Sequence, residues 1–512
     1  MTASAPTYLD LIERGAAQNA SRVALIVGDK PMTFAEVNTR ANQLAHALRA
    51  VGVSARSRVA LLVNNGEHSV PLDFACVKAS LNRVPLNSRL SVQEHARMVQ
   101  EANCEALVFG PDLAERAADL ARAVPGLRCY GLGAALSDGG DLLPIAAMQP
   151  HTAPESDARP DDVVLTLYTS GTTGVLKAAQ HTQASYAGIC RNILLNLLPV
   201  TPEDSMLHSA SLIHASGTFI LPFWLRGAVS IVLPGFVPAN FLEAIEKYRA
   251  TAINLVPTMM QMLLEHPDID RRDLSSLSRI IYGASPMPRT VINRAMAKFG
   301  RDKFWQYYGQ TEVPLCLAVL RPEDHTDDLL GACGRPAIDV EIRLVNEAGQ
   351  PVAEGEPGEI LVRSDSAAAG YFNAPELTAQ SFDAEGWVHT RDVGVFDARG
   401  FLHLRDRTSD MIISGGYNVY PREVEDALLT HPAVFEAAVV GAPDEKWVEA
   451  VVAFVVLKPD AAVEEADLIR HVAGQIASYK KPHAVRFVAS IPKTAVGKLD
   501  RKALRAGVRE PA

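Results

Sequence analysis

Short apolar runs of strand length alternate with segments of helical periodicity along most of the chain. Such an alternation predicts α/β units, in which helices cover both faces of largely parallel sheets. The predicted strands are 58–63 (RVALLV), 104–110 (CEALVFG), 163–168 (VVLTLY), 228–234 (AVSIVLP), 252–257 (AINLVP) and 278–283 (SRIIYG). We therefore expect an α/β fold with a large N-terminal domain of mixed, largely parallel sheets flanked by helices.

The pattern starts afresh near the C-terminus. A helix is predicted at 421–429 (PREVEDALL) because its apolar residues recur at helical spacing. The other predicted elements are two strands, 434–440 (VFEAAVV) and 449–457 (EAVVAFVVL), and a second helix, 464–476 (EEADLIRHVAGQI). About a hundred residues suffice for a small α+β domain. The boundary is placed between the polar LRDRTSD and the apolar MII, which gives domains 1–408 and 409–512.

Composition agrees with two domains and excludes some partners. The chain has 512 residues, 48% of them hydrophobic, which is enough for more than one core. Its net charge is −10 and it has no run of Lys or Arg, so we expect no nucleic acid to bind through a basic face. The six cysteines lie far apart without a CxxC pair, which favours reduced thiols over disulfides or a zinc site.

The N-terminus and the longest apolar stretch indicate the location. The opening MTASAPTYLDLIERG contains Asp10 and Glu13 and has no basic segment, unlike a signal peptide. The stretch 219–234 (FILPFWLRGAVSIVLP) is interrupted by Arg226 and by prolines, and it is too short to span a bilayer. We expect a soluble, cytoplasmic protein with no membrane span.

One polar segment is rich in hydroxyls and glycines. It is 168–182 (YTSGTTGVLKAAQHT), between a predicted strand and a helix-like run. A strand, a Ser/Thr/Gly loop and a helix N-terminus together offer N–H and hydroxyl donors to phosphate, so a nucleotide is the natural ligand. The segment is not a Walker A loop, because two residues separate Gly174 from Lys177, and it is not a GxGxxG fingerprint. An ordinary turn is the alternative.

Further motifs follow in order along the chain. They are SLIHASG (211–217), YGASP (282–286), YYGQTE (307–312), CGRP (333–336), GEILVR (358–363), GYFNAPELTAQSF (370–382), GWVHTRD (386–392), DRTSDMIISGGYNVYPREVE (406–425) and PKTAVGKLDR (492–501). Together with YTSGTTGVLK, this set covers nearly the whole chain and resembles the adenylate-forming superfamily, in particular its acyl- and aryl-CoA synthetases. The resemblance implies an AMP-forming acid:thiol ligase that uses ATP, Mg²⁺ and coenzyme A, with a mobile C-terminal domain.

The resemblance also assigns an ATP site. A carboxylate that attacks the α-phosphorus of ATP brings two anions together, so cations and fixed donors must stabilise the transition state. The implied pyrophosphate-binding residues are Thr169, Ser170, Gly171, Thr172, Thr173 and Gly174, with Lys177 as a nearby charge. The other implied nucleotide-binding residues are Gly283, Ala284 and Ser285 on the adenine side, Tyr308 and Gly309 against adenine, Asp392 at the ribose hydroxyls and Arg407 near the ribose. Thr311 is implied to contact the α-phosphate and Glu312 to bind Mg²⁺.

Five other residues are assigned to catalysis and to the second half-reaction. By the same resemblance, Lys498 bridges the carboxylate and α-phosphate oxygens as they meet. Transfer to a thiol then requires the small domain to rotate, with the hinge at Ser409. Gly415 and Gly416 resemble the loop that lines the pantetheine tunnel. His214 resembles the histidine that gates the thiol tunnel and the acyl pocket.

The sequence departs from the family's commoner pattern at several positions. They are Leu176 in place of proline, Ala178, Arg391 and Val448 in place of glycine, and Ser409 in place of Asp or Lys at the hinge. None of these departures removes a catalytic group. Those at Arg391, Ser409 and Val448 bear on the faces between the domains, and hence on the acceptor.

The acid, the acceptor and the oligomeric state remain open. The small residues of 214–218 admit aromatic, alicyclic or fatty acids, and Tyr282 is expected to form a wall of the pocket. The nearest alternative to CoA is an amine, giving an amide, or a carrier-protein thiol; homodimers are also compatible with the sequence. A non-catalytic nucleotide-binding relative is disfavoured by Lys498, Glu312 and Asp392. A serine hydrolase is disfavoured because no GxSxG elbow is present.

Overall fold

The computed structural model describes residues 5–136, 139–170, 176–285, 287–407, 410–414, 417–444, 447–494 and 498–509. The α-helices of these ranges are α1 (Tyr8–Asn19), α2 (Phe34–Ala50), α3 (Ser69–Lys78), α4 (Val92–Glu101), α5 (Ala114–Ala123), α6 (Leu142–Ala147), α7 (Gln183–Asn196), α8 (Ala215–Thr218), α9 (Ile220–Leu225), α10 (Pro238–Tyr248), α11 (Pro257–Glu265), α12 (Arg289–Phe299), α13 (Pro375–Ser381), α14 (Pro421–Leu429), α15 (Glu465–Ala473) and α16 (Arg501–Arg509). In that part of the chain, no helix combines the length and apolar character needed to cross a membrane.

The strands of the same ranges are β1 (Val23–Val27), β2 (Lys30–Thr33), β3 (Arg58–Leu62), β4 (Asn82–Pro85), β5 (Ala106–Phe109), β6 (Arg128–Gly131), β7 (Gly140–Asp141), β8 (Val163–Ser170), β9 (Leu176–Thr182), β10 (Ser205–His208), β11 (Val229–Val232), β12 (Ala252–Leu255), β13 (Arg279–Gly283), β14 (Phe304–Tyr308), β15 (Ala318–Leu320), β16 (Arg335–Pro336), β17 (Glu341–Val345), β18 (Gly358–Arg363), β19 (Gly370–Tyr371), β20 (Val388–Phe396), β21 (Leu402–Arg407), β22 (Ile412–Ser414), β23 (Tyr417–Val419), β24 (Val434–Asp444), β25 (Val448–Leu457) and β26 (Ala484–Phe487).

Two large sheets organise the N-terminal part of the chain. The first has nine strands in the order β16-β15-β14-β13-β12-β10-β11-β1-β2, and the second has eight in the order β19-β9-β8-β4-β3-β5-β6-β7. Their central strands are parallel, as in β12–β13–β14 and β4–β3–β5. Antiparallel strands complete the edges, including the β8–β9 hairpin. The prediction of mixed, largely parallel sheets is confirmed.

Helices cover both faces of these sheets. One core contains side chains of α1, α7 and α9 together with residues of both sheets, so it lies between them. A second core packs α10, α11 and α12 on the other face of the nine-stranded sheet. On the eight-stranded sheet, α2, α3 and α6 cover one face, and α4 and α5 cover the other. The carboxyl ends of the parallel strands are therefore the places where loops can build a site.

Local sequence signals start several of these helices. Thr7, Thr33, Ser91 and Thr182 cap α1, α2, α4 and α7, and each forms a reciprocal capping box with the third residue of its helix. A capping box satisfies backbone N–H groups that a helix start otherwise leaves without partners. The chain thus enters these four helices at defined residues.

A third sheet leads to the C-terminal part. Strands β17, β18, β20 and β21 form an antiparallel sheet that packs on the β14–β15 edge of the first sheet. Beyond it, β22 to β26 form a five-stranded sheet that packs with α14 and α15, and a second cluster joins it to α16. This is the predicted small α+β unit. The boundary itself, at residues 408 and 409, lies outside the described ranges and stays a prediction.

All six strands predicted from apolar runs are present, and the helix predicted at 421–429 is α14. One local expectation is wrong. The loop after β8 does not lead into a helix, because β9 returns antiparallel to β8 before α7 begins at Gln183. The Thr182 hydroxyl accepts from the Ser185 N–H at that helix start. The phosphate loop is therefore the tip of a hairpin, and the N-terminus of α7 does not belong to it.

Candidate active site

The hairpin tip that carries the predicted phosphate loop is flanked by paired backbone. Thr169 lies opposite Lys177, and Ser170 lies opposite Leu176. Residues Gly171, Thr172, Thr173 and Gly174, predicted to bind pyrophosphate, lie outside the described ranges, as do the Thr169 and Ser170 side chains. The structure does describe the side chain of Lys177, which is the cation of this motif. Its Nζ lies 5.7 Å from the centroid of the Tyr371 ring.

Tyr308 is the last residue of β14, and the loop that follows carries Gly309, Thr311 and Glu312. A Cβ at Gly309 would come within 2.3 Å of the Leu315 carbonyl oxygen, so this tight loop requires glycine. The backbone carbonyls of Thr311 and Glu312 are hydrogen-bonded to residues outside this loop. His181 Nε2 lies 2.8 Å from the Thr311 carbonyl oxygen, and the Ala368 N–H donates to the Glu312 carbonyl at 2.8 Å.

His181 itself is buried on β9, and burial lowers its pKa. A neutral imidazole that donates from Nε2 to Thr311 keeps Nδ1 as an acceptor, and Nδ1 faces the Ser185 hydroxyl. The hairpin of the phosphate loop thereby fixes the Thr311 backbone. Sequence reasoning missed His181, although it lies at the end of the YTSGTTGVLKAAQHT segment.

The Glu312 carboxylate has a partner that the sequence analysis also missed. The Tyr371 hydroxyl donates to its Oε1 at 2.5 Å. Among the described residues, Oε2 accepts no hydrogen bond. The Oε2 atom of Glu312 and the oxygens of the adjacent Thr311 are hard donors, and such donors suit a small divalent cation.

Tyr308 and Asp392 form a buried pair at the edge of the first and third sheets. The Tyr308 hydroxyl donates to Asp392 Oδ2 at 2.7 Å, and the two residues are 7% and 6% exposed. Burial and the Asp392 carboxylate raise the pKa of Tyr308, so the phenol stays a donor. On the neighbouring strand, Arg407 lies opposite Asp392 in the β20–β21 ladder, and its side chain lies outside the described part of the structure.

The predicted adenine-side loop follows β13, next to β14. Gly283 is paired with Tyr307, and a Cβ at Gly283 would approach the Tyr307 ring within 2.9 Å. Ala284 follows with a φ of 64°, in the left-handed region. The carboxyl ends of β13 and β14 thus bring Gly283, Ala284 and Ser285 to the same edge as Tyr308. Tyr282 points elsewhere: its hydroxyl contacts His325 Nε2 at 3.0 Å in the core, so the expectation of a pocket wall is wrong.

His214 lies on a different loop, between β10 and the short α8. Its Nε2 is 3.4 Å from the Asn87 side-chain amide, which comes from the loop after β4. Burial, together with the positive charges of Lys498 and Arg89, lowers the pKa of His214 to about 4. His214 is therefore a neutral imidazole at physiological pH.

Lys498, the predicted catalytic lysine, is one of the two cations whose charge lowers the pKa of His214. Lys498 is exposed, and its backbone pairs with Thr494: the Thr494 N–H donates to the Lys498 carbonyl at 2.7 Å and the Lys498 N–H donates to Thr494 Oγ1 at 3.2 Å. Lys493 and Leu499 form a neighbouring antiparallel bridge. Gly415 and Gly416, predicted for the pantetheine tunnel, lie outside the described ranges.

The comparisons with known proteins agree with these motifs. Residues 12–372 match the family model described as AMP-binding enzyme, and residues 423–498 match the model described as AMP-binding enzyme C-terminal domain. The chain belongs to the AMP-binding enzyme family. The resemblance to adenylate-forming enzymes drawn from the sequence is confirmed.

Relatives of this AMP-binding enzyme match over nearly its full length. A medium/long-chain-fatty-acid–CoA ligase of Mycobacterium tuberculosis is 37% identical, over 97% of this chain and 89% of that protein. A feruloyl-CoA synthase of Amycolatopsis sp is 35% identical, over 95% of this chain and 96% of that protein. Among solved structures, the amide bond synthetase McbA from Marinactinospora thermotolerans superposes with a TM-score of 0.90 at 34% identity, covering 98% of this chain and 99% of that one.

Proposed function

We propose that this enzyme activates a carboxylic acid with ATP to form an acyl adenylate and pyrophosphate, and then transfers the acyl group to coenzyme A. The observation that supports the proposal is the buried pair of Tyr308 and Asp392 next to the loop that carries Glu312, because these groups suit a nucleotide and its metal. The CoA ligases among the relatives support the second step.

In the first step the chain's own residues hold and orient the reactants. Tyr308 packs against adenine, Asp392 accepts hydrogen bonds from the ribose hydroxyls, and the hairpin tip with Lys177 binds the pyrophosphate end. Lys498 donates to the carboxylate and α-phosphate oxygens as they meet. A preorganised charge of this kind is worth about 100-fold or more in rate.

Glu312 and Thr311 would hold Mg²⁺, since their oxygens are the ligands that this ion prefers. The donor set fits, because Tyr371 orients one Glu312 oxygen and the other accepts no hydrogen bond among the described residues. When bound with ATP, Mg²⁺ shields the phosphate charges from the incoming carboxylate.

In the second step a neutral His214 suits a gate that must admit a thiol. An imidazolium beside Lys498 and Arg89 would add a third positive charge to one small region, and the low pKa of His214 prevents this. Rotation about the predicted hinge at Ser409 would then withdraw Lys498 and bring the Gly415–Gly416 loop to the site.

The test is mass spectrometry of reactions that contain ATP, Mg²⁺ and a panel of aromatic, alicyclic and fatty acids. Each acid is run with CoA, with a simple amine and with neither acceptor. We expect AMP and an acyl-CoA that depends on CoA. Lys498→Ala should lose adenylate formation by about 100-fold or more with the fold intact. Lys502→Ala, an exposed lysine on α16, is the matched control and should keep wild-type activity.

An amine acceptor is the second candidate, favoured by the likeness to an amide bond synthetase at a TM-score of 0.90. It predicts an amide in the amine reaction and no acyl-CoA in the CoA reaction. Adenylate without either product would contradict both acceptors. Formation of acyl-CoA without loss of ATP would contradict the adenylate route itself.

A further inference from the structure

Tyr371 contacts two of the proposed catalytic groups at once. Its hydroxyl donates to Glu312 Oε1 at 2.5 Å, and Lys177 Nζ lies over its ring, 5.7 Å from the centroid. A cation on a ring face is held by the ring quadrupole, and a phenol hydroxyl that donates to a carboxylate forms a charge-assisted bond. One side chain therefore stands between the proposed metal ligand and the proposed phosphate-binding cation.

Tyr371 is itself firmly held. The residue is 7% exposed, its ring packs edge-on against Phe382 at 5.7 Å, and its N–H donates to Thr378 Oγ1 at 3.0 Å. A Cβ at the preceding Gly370 would approach Thr378 Cγ2 within 2.6 Å, so the chain passes closely there.

The segment around Tyr371 makes two hydrogen bonds to Glu312 and pairs with β9, the strand that carries Lys177. The Ala368 N–H donates to the Glu312 carbonyl, while Tyr371 donates to its carboxylate. Tyr371 is paired with Ala179 on β9, two residues beyond Lys177. Residues two apart on a strand share a face, so Lys177 points to the side on which Tyr371 lies.

We propose that Tyr371 is a positioning residue for ATP activation: its hydroxyl presents Glu312 to Mg²⁺ and its ring keeps Lys177 at the phosphate end of the site. The inference rests on the proposed function, in which Glu312 and Lys177 act on Mg²⁺ and ATP. A donor on Oε1 fixes the carboxylate plane and directs Oε2 to the cation. Partners of this kind, behind the metal ligand, typically change metal affinity by about 10-fold or more when removed.

Two variants separate the roles of the hydroxyl and the ring. In Tyr371→Phe the ring remains and only the hydroxyl is lost, so we expect about a 10-fold weaker Mn²⁺ affinity in the presence of ATP, measured by electron paramagnetic resonance. The Mg²⁺ concentration for half-maximal pyrophosphate exchange should rise equally, with the KM of the acid unchanged. In Tyr371→Leu the ring is lost too, so the KM of ATP should also rise at saturating Mg²⁺.

The chain offers a matched control in Tyr8. Its hydroxyl donates to Asp73 Oδ2 at 2.9 Å, and the Arg83 guanidinium lies 5.4 Å from its ring centroid, which is the same trio of phenol, carboxylate and cation inside the core between the sheets. Tyr8→Phe should lower the melting temperature and leave the Mn²⁺ affinity unchanged. This outcome would separate positioning from general stabilisation.

The proposal is overturned if Tyr371→Phe binds Mn²⁺ in the presence of ATP as tightly as the wild type, or if Tyr8→Phe weakens that binding equally. The measurement needs neither CoA nor an amine, so an error in the proposed acceptor leaves it unaffected. A wild-type enzyme that binds no Mn²⁺ with ATP would instead contradict the proposed function.

Discussion

The hydroxyl of Tyr308 donates a 2.7 Å hydrogen bond to Oδ2 of Asp392, joining the last strand residue of β14 to the middle of β20. The two residues belong to different sheets, and the bond holds the third sheet against the edge of the first. It also orients the carboxylate that is proposed to receive the ribose. The resemblance implies a role for the Tyr308 ring against adenine, and in the structure its hydroxyl takes part as well.

Tyr308→Phe should weaken ATP binding and stability together. The phenyl ring keeps its packing, but the buried Asp392 carboxylate loses a donor, which costs about 2 kcal/mol for a charged group. We expect a lower melting temperature and a KM for ATP raised several-fold, with the KM of the acid unchanged. Tyr282→Phe is the control, since its hydroxyl bonds to His325 in the core. An unchanged KM for ATP in Tyr308→Phe would show that the bond does not orient Asp392.

His325 gives the enzyme a stability that falls in mild acid. It is fully buried between Tyr282 and the Arg321 carbonyl, and burial lowers its pKa from 6.5 to about 4. As pH falls below 6.5, His325 binds a proton in the unfolded chain, whereas in the folded protein it stays neutral until about pH 4. The stability is therefore complete above pH 6.5 and declines towards about pH 4, by about 3 kcal/mol for a shift of this size.

The test compares melting temperatures near neutral pH and at about pH 5. His325→Gln should be less stable than the wild type near neutral pH, and the difference should shrink in acid because the variant lacks the titrating ring. Tyr282→Phe removes the same hydrogen bond but keeps the imidazole, so its difference from the wild type should stay nearly constant. A constant difference for His325→Gln would argue against a neutral His325.

Val448 stores backbone strain at a surface position. Its φ is 70°, a left-handed conformation that costs a residue with a Cβ about 1 to 2 kcal/mol, and its side chain is 67% exposed. Val448→Gly should therefore raise stability by about 1 kcal/mol, because little apolar burial is lost. Val237, 50% exposed with a φ of −126°, is the control, and Val237→Gly should not stabilise. A lower melting temperature for Val448→Gly would contradict the strain.

The sequence predicted the features that depend on local pattern. The run at 252–257 gave β12, and the apolar spacing of 421–429 gave α14, because burial imposes these periods on neighbouring residues. Arg391 and Val448, which differ from the family's commoner glycine, both have φ in the left-handed region, at 60° and 70°. Departures from the family's glycine pattern therefore mark positions of unusual backbone in this chain.

Features that depend on distant residues could not be predicted in this way. β9 reads as LKAAQHT, which has no Val, Ile, Phe, Tyr or Trp and only the terminal Thr182 as a β-branched residue, and it is a strand because β8 and β19 pair with it. The contact of Tyr371 with Glu312 joins residues 59 positions apart. Only the packing of the β9–β19 edge on the loop after β14 brings them together.

The small domain should depend on the buried pair of Arg501 and Glu425, which lies next to Asp410, whose Oδ2 is 3.6 Å from Arg501 Nε. Arg501 on α16 donates to both carboxylate oxygens of Glu425 on α14, and its NH1 also donates to the Val439 carbonyl on β24 at 2.8 Å. The Arg501 and Glu425 side chains are 14% and 9% exposed. Since α16 begins at Arg501, three residues after Lys498, the pair also holds the chain next to the proposed catalytic lysine.

Arg501→Met should leave Glu425 buried without its charge partner and cost about 3 to 5 kcal/mol. We expect a lower melting temperature and slower adenylate formation, measured by pyrophosphate exchange. The double variant Arg501→Met/Glu425→Met should recover most of the stability, because it removes the uncompensated charge. The exposed pair of Arg470 and Asp467 is the control, and Arg470→Met should change stability by less than about 1 kcal/mol. If the double variant were as unstable as the single one, packing around Arg501 rather than its charge would account for the loss.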